Sequence, residues 1–175
     1  HKSPPPSIPT LPDDELPLVT AVIPCRNEEK HLGQCLESIV NNGYPTDRLE
    51  VLVVDGLSED KSRELVCDFH KTFPYIRLVD NPKKILAAAW NHGVREAKGE
   101  IIFAMNAHAR VEAGYFRKCI EYLRAYKADC VGPVIITHPQ DETFLGKLIA
   151  AALSHPFGVG NSRFRTGSKE PTWVD

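Results

Sequence analysis

The sequence predicts an α/β protein, a Rossmann-like α/β/α sandwich with a mainly parallel central sheet. Three features predict it: short apolar runs alternate with helix-periodic segments, turn residues punctuate most junctions, and polar residues cluster directly after the runs. Strands buried on both faces read as unbroken apolar runs, and parallel strands need helical crossovers between them. Right-handed crossovers then bring every strand's C-terminal end to one edge, where such folds bind ligands.

The elements follow in order. Residues 1–17 contain Pro4, Pro5, Pro6, Pro9, Pro12 and Pro17 and few large apolar groups, so they are expected to form an extended, disordered leader, with the folded domain over 18–175. Residues 19–23 read as a buried strand. A helix over 28–40 follows, with Leu32, Leu36, Ile39 and Val40 on one face and Asn41-Asn42-Gly43 as its stop. A second strand covers 49–54, and a second helix covers 60–73 with Leu65, Val66 and Phe69 inward and Pro74 ending it. A short strand at 76–79 precedes an alanine-rich helix over 85–97, closed by Gly99. A fourth strand covers 100–105, a helix 113–126, a fifth strand 129–137 and an amphipathic helix 143–154.

The bulk properties exclude several classes. At 175 residues, 42% hydrophobic and 25% charged, the chain can build an ordinary globular core. A net charge of -2 with acidic and basic residues intermixed gives no nucleic-acid footprint. Cys25, Cys35, Cys67, Cys119 and Cys130 form no CxxC pair, which favours free thiols in a reducing, cytoplasmic compartment. No apolar run approaches the ~20 residues of a spanning helix, and the proline-rich start lacks a signal-peptide core. Any membrane association is therefore expected through segments outside these residues.

Four polar clusters are expected on the ligand edge: residues 24–28, 55–60, 80–84 and 106–108. No GxGxxG follows the first strand and no GKS or GKT occurs, so neither a dinucleotide fingerprint nor a P-loop is present. Pro24-Cys25-Arg26-Asn27-Glu28 offers backbone groups, an amide, a carboxylate and a helix start, although Asn27 and Glu28 also read simply as helix initiators. Asp55 can accept from a pyrimidine N–H or a ribose hydroxyl, or serve as a turn aspartate before Gly56. Ser58 and Asp60 read as capping residues. Lys83 and Lys84 can meet phosphate or form a solvated basic turn. Asn91 is a poor helix former in a favourable helix, which gives it either a hydrogen-bonding task or a place in water. Asn106 and His108 flank Ala107 and share one side if that segment is extended. A neutral imidazole suits manganese and similar cations, whereas an amide oxygen is a weak ligand; a lone histidine also has a purely structural reading.

Jointly these blocks resemble the family 2 glycosyltransferases of the GT-A fold. Residues 22–28, 53–60, 91–94 and 97–102 carry the resemblance in the family's order and spacing. Residues 105–109, 131–133, 154–165 and 174–175 narrow it to a branch like that of succinoglycan and other exopolysaccharide synthesis. The resemblance implies that Pro24, Arg26 and Glu28 line a nucleotide pocket, Asp55 meets the base, and Lys84 and Asn91 lie near base and diphosphate. Asn106-Ala107-His108 falls on the DxD motif, which places His108 on a divalent cation, Mn2+ or Mg2+, beside the sugar-nucleotide diphosphate. The branch commonly has Asp-Ala-His there, so Asn106 departs from it and removes a negative charge near a hard cation.

The implied reaction is inverting transfer from a nucleotide-diphospho-sugar, expected to be a UDP-sugar, to a hydroxyl of a saccharide or lipid-linked saccharide. The family's carboxylate base belongs to an acidic motif beyond residue 175, so the catalytic residue is not assigned here, and the chain reads as a donor domain lacking its acceptor part. An alternative is a non-catalytic nucleotide-sugar-binding module, motivated by Asn106. A nucleotidyltransferase fits less well, because a glycine-rich, lysine-bearing loop would replace residues 24–28.

Overall fold

β1 (Val19–Cys25) is flanked on both sides and hydrogen-bonded along its length, which makes it an interior strand of the sheet. In this computed structural model, which describes residues 7–139, 143–155, 159, 162–167 and 171, the sheet also contains β2 (Leu49–Asp55), β3 (Ile76–Asp80) and β4 (Ile101–Ala104). The strand order is β3-β2-β1-β4, and every pair is parallel. Cys25 pairs with Asp55 and Asp55 with Asp80, so three strands release their loops at one level. The chain runs outward from β1 to β3 and then returns to β4 on the other side of β1. That reversal opens a crevice between the ends of β1 and β4.

Helices cover both sheet faces, as the unbroken apolar strands require. α3 (Leu86–Glu96) lies on one face, where Ala89 and Trp90 pack with Val22, Leu52, Val54 and Val79. On the other face Phe103 meets Phe116 of α4 (Tyr115–Tyr126) edge-on, with ring centroids 4.7 Å apart. α1 (Leu32–Val40) buries Leu32, Cys35, Leu36 and Ile39, and α2 (Ser62–Thr72) packs along β3 and buries Ser62 and Val66. Leu65 and Phe69 are only half-buried, because α2 covers the outer strand of the sheet.

Two glycines mark close approaches. A Cβ on Gly93 would stand 2.3 Å from Val22 Cγ1, so its absence lets α3 settle onto β1. Gly99 presses against the backbone at Thr20 and donates its N–H to Thr20 Oγ1 (2.8 Å). Thr20 in turn donates to Glu50 Oε2 (2.7 Å), which also accepts from Lys98 N–H (2.8 Å), while Arg77 holds Glu50 Oε1 (2.8 Å). This buried carboxylate therefore ties the start of all four strands together. Burial works against its ionisation, but the Lys98, Thr20 and Arg77 hydrogen bonds prevail and hold its pKa below the ordinary glutamate value.

Several expectations are corrected. Residues 28–31 form a turn rather than helix, with Glu28 carbonyl accepting from His31 N–H (3.0 Å) and Leu32 N–H (2.9 Å). The segment 11–17 is packed rather than a loose leader. Leu11 and Leu16 are buried, Leu11 N–H donates to Glu121 (2.9 Å), and Arg117 engages both Asp13 and the Leu11 carbonyl. Charged groups on α4 satisfy the backbone of this segment, which proline content alone does not reveal. Residues 1–6 lie outside the described residues.

The chain divides into two compact units, 1–127 and 128–175. In the second unit the expected strand 129–137 is not formed. Val134, Ile135 and Ile136 are exposed and unpaired in any ladder, since β-branched residues stabilise a strand only when a partner strand accepts them. α5 (Phe144–Ser154) is present, with Thr143 Oγ1 accepting from Gly146 N–H (3.1 Å) as its N-cap.

Gly93→Ala is expected to cost about 1–3 kcal/mol through overpacking, with the helix-propensity gain recovering part of it; urea unfolding measures the balance. Glu50 supplies a pH signature. Because its folded pKa is depressed, its contribution is complete above the unfolded glutamate value and is lost as pH falls through the folded one. Denaturation midpoints should therefore fall more steeply below about pH 4 in the wild type than in Glu50→Gln.

Candidate functional site

The loops leaving β1 and β2 are locked to each other by reciprocal hydrogen bonds. Asn27 N–H donates to Ser58 Oγ (2.8 Å), and Asn27 Oδ1 accepts from Glu59 N–H (2.9 Å). Glu28 N–H donates to Ser62 Oγ (2.8 Å), Glu29 N–H to Asp60 Oδ2 (3.0 Å), and Lys61 N–H returns to Glu29 Oε2 (3.0 Å). The free N–H groups ahead of α1 are thus capped from the neighbouring loop rather than by a local residue. Asp60 does cap α2, through Ser62 N–H (2.9 Å), and caps the α1 entry as well.

Asp55 sits beneath this lock with no solvent exposure. Its carboxylate accepts from Ser58 N–H (2.9 Å), from the Ser58 hydroxyl and from Arg63 Nη1 (2.7 Å). Arg63 reaches Asp80 through its other nitrogen (2.8 Å), joining the ends of β2 and β3. Gly56 N–H donates to the Cys25 carbonyl (2.8 Å) and Asn81 N–H to the Asp55 carbonyl (2.7 Å). Cys25 lies at the same level as a buried thiol whose pKa is pushed up to about 12, first by burial and then by Asp55.

Above this floor is a cleft of about 310 Å³, lined by residues of the loops after β1, β3 and β4 together with Gly56. Of the expected residues, Pro24, Arg26, Glu28, Lys84, Asn106, Ala107 and His108 all line it. Asp55 and Asn91 do not. Asp55 is the support under Gly56, and Asn91 is exposed on α3, one residue along from the half-buried Trp90. Cys25 and Asn81, members of the expected clusters without an assigned role, and Ile85, Leu86 and Ala89, outside those clusters, join the lining. For Asn81 a signal existed: an asparagine before proline at a strand end is a turn former. It is buried and donates to the Ile85 carbonyl (3.0 Å), shaping the entry to α3.

Asn106, Ala107 and His108 form a turn closed by Ala109 N–H on the Asn106 carbonyl (2.9 Å), so the alternation of an extended segment does not apply to them. His108 Nδ1 stands 3.7 Å from Glu28 Oε1, and its side chain is 59% exposed. The Asn106 side chain is also exposed on the cleft. Arg26 and Lys84, also in the lining, have no carboxylate partner among the described residues. The lining thus carries two unpaired cations as well as an imidazole–carboxylate pair. Among the described residues no three histidine, cysteine or acidic groups gather around one point. The donor set of His108, Glu28 and the Asn106 amide therefore fits a cation whose remaining ligands come from phosphate and water.

The sequence model for glycosyl transferase family 2 matches residues 20–171. The chain belongs to glycosyltransferase family 2. A Methanococcus voltae dolichyl N-acetyl-α-D-glucosaminyl phosphate 3-β-D-2,3-diacetamido-2,3-dideoxy-β-D-glucuronosyltransferase is 30% identical over 149 residues, covering 82% of this chain and 46% of that protein. Succinoglycan biosynthesis protein ExoA of Rhizobium meliloti is 31% identical over 149 residues, covering 84% of this chain and 44% of ExoA. Among solved structures, the Pyrobaculum calidifontis mannosyltransferase PcManGT, in complex with GDP-Man and Mn2+, superposes with a TM-score of 0.63 at 29% identity. That match covers 80% of this chain and 41% of PcManGT. The chain therefore has the GT-A fold and spans less than half the length of these relatives. Residues 156–158, 160–161 and 174–175 of the family 2 resemblance lie outside the described residues.

Arg63 is the test of the floor. Arg63→Met leaves the Asp55 charge buried without its cation and is expected to cost about 2–4 kcal/mol, discounted for the partial exposure of Arg63. Asp55→Asn combined with Arg63→Met should cost less than the two single changes added, as measured in a double-mutant cycle by urea unfolding.

Proposed function

We propose that this chain is the donor-binding part of an inverting glycosyltransferase, taking a nucleotide-diphospho-sugar into the cleft between β1 and β4. The observation that carries the reading is the composition of that cleft: Arg26 and Lys84, free of carboxylates among the described residues, share its lining with the pair Glu28 and His108. A diphosphate suits these two cations, where its charges meet a guanidinium able to bond two oxygens and an ammonium acting as a point charge. His108, Glu28 and the Asn106 amide are the groups that would hold Mn2+ or Mg2+; when bound, the cation supplies positive charge to the leaving diphosphate.

In this reading Pro24 and Ala107 shape the pocket walls, and the Asp55–Ser58–Arg63 cluster keeps the base-side floor rigid. The acceptor is a hydroxyl of a saccharide or lipid-linked saccharide. Its oxygen attacks the anomeric carbon as the glycosidic bond to the diphosphate breaks, and its proton passes to a carboxylate base. We place that base in the acidic motif implied beyond residue 175. A UDP-sugar is the donor taken from the family resemblance, and a GDP-sugar is the competing arm because PcManGT binds GDP-Man. Likeness to ExoA supports a role in exopolysaccharide synthesis. No helix among the described residues is long and apolar enough to cross a membrane. We place the enzyme at the cytoplasmic face of the membrane.

Calorimetric titration with UDP and GDP, with and without MnCl2, tests the donor site. A diphosphate is expected to bind more tightly with Mn2+, and Arg26→Ala and Lys84→Ala are each expected to weaken binding about tenfold, one charge-assisted contact apiece. Absence of heat for either nucleotide under both conditions overturns the reading. Asn106→Asp adds a carboxylate beside His108 and should tighten Mn2+ several-fold, whereas His108→Ala should abolish the Mn2+ gain. Asn106 also favours a second reading, a binding module without transferase activity. Sugar transfer by a longer enzyme retaining Asn106 would exclude that module.

A further inference from the structure

His108 has little of its own to hold it. It is mostly exposed, and among the described residues its one ion-pair partner is Glu28 at 3.7 Å. Where it stands is therefore set by the backbone of residues 105–114, which has no regular structure. That segment runs alongside α1, from its first turn to its end, and is pinned at successive points. The Cys35 thiol faces the Asn106 carbonyl (3.7 Å), and the Gln34 side chain engages Arg110. Ser38 Oγ accepts from Val111 N–H (3.1 Å) while donating to the Cys35 carbonyl (2.7 Å), so both functions of the hydroxyl are used. Asn42, 2% exposed, closes the run. Its Nδ2 donates to the Glu112 carbonyl (2.5 Å), its Oδ1 accepts from Phe116 N–H (3.3 Å), and its carbonyl accepts from Gly114 N–H (2.8 Å).

Glu28 opens the turn that leads into α1, its carbonyl accepting from Leu32 N–H (2.9 Å). The same nine-residue helix thus follows the carboxylate beside His108 and grips the loop that carries His108. We propose that Ser38 and Asn42, neither of them in the cleft, are positioning residues for His108, holding the 105–114 segment to α1 so that imidazole and Glu28 carboxylate face one another. Asn42, which reads in the sequence only as part of a helix stop, is the main clamp, and Ser38 is the mid-helix one. This inference rests on the donor-site reading. A hydrogen bond lost from Ser38 or Asn42 lets the segment drift from α1 by a fraction of an ångström or more. Chelation by His108 and Glu28 is sensitive to that distance, whereas Arg26 and Lys84 lie on the loops after β1 and β3 rather than on the 105–114 segment.

The experiment separates metal-dependent from metal-free binding. Affinities of UDP and GDP are measured by calorimetry with and without MnCl2 for wild type, Ser38→Ala, Ser38→Thr and Asn42→Ala, with the Mn2+ resonance recorded in the ternary mixture. Ser38→Ala and Asn42→Ala are expected to cut the Mn2+-dependent gain in nucleotide affinity about five- to tenfold, the scale of one lost hydrogen bond. Metal-free affinity should change less than about twofold, and Ser38→Thr, which keeps the hydroxyl, should restore the gain. Should Asn42→Ala fail to fold, the milder Ser38→Ala decides. An unchanged Mn2+ gain in folded Ser38→Ala overturns the proposal, as does an equal loss of metal-free and metal-dependent binding. Wild type that binds nucleotide with no Mn2+ gain overturns it while leaving the diphosphate site standing. Wild type that binds no nucleotide overturns both.

Discussion

A fully buried aspartate at the end of the second strand is the constraint on which the ligand edge depends. Asp55 has lost all contact with water, and a carboxylate in that position survives only with its charge answered. Ser58 answers it from the following turn, and Arg63 answers it from α2 while reaching across to Asp80. Holding Ser58 there places its hydroxyl under Asn27, and the reciprocal bonds between the two loops follow. The ends of three strands thus become one rigid platform.

That platform explains why the cleft tolerates unfavourable backbone and unsatisfied charge. Asn27, Leu57 and Lys84, one on each loop after β1, β2 and β3, adopt positive φ values of 56°, 56° and 57°. For leucine and lysine such a conformation costs about 1–2 kcal/mol each, and it persists only where surrounding bonds over-determine it. At Lys84 the bond is its N–H to the Asn81 carbonyl (3.0 Å), with Asn81 itself buried. Arg26 likewise lies over Gly56, whose missing Cβ would meet its side chain at 3.2 Å.

A second buried carboxylate, Glu50, does at the opposite edge what Asp55 does at the ligand edge. Its partners come from the starts of β1 and β3 and from the turn before β4, so each end of the sheet is closed by one charged residue. Among the described residues no buried side-chain nitrogen or oxygen lacks a hydrogen-bond partner, which is what permits buried carboxylates inside so small a core.

The four strands of the sheet, the helices between them and the clustering of residues 24–28, 84 and 106–108 were legible in the sequence, because hydrophobic period and chain crossover act locally and always in one direction. Pairwise geometry was not. Asp55 read as a base contact or a turn aspartate and is buried, accepting from Ser58 of its own turn; Asn91 read as a site amide or a solvated one and is exposed outside the cleft lining; residues 106–108 form a turn. Residues 129–137 have strand composition but no partner strand, and residues 11–17 have leader composition yet are held by α4. Sequence alone determined the fold class, the edge that bears the chemistry and the family, because these depend on residue type and order. Only the tertiary structure decided which polar side chains face the cleft and which support it, because a carboxylate's role depends on the donors that distant segments bring to it.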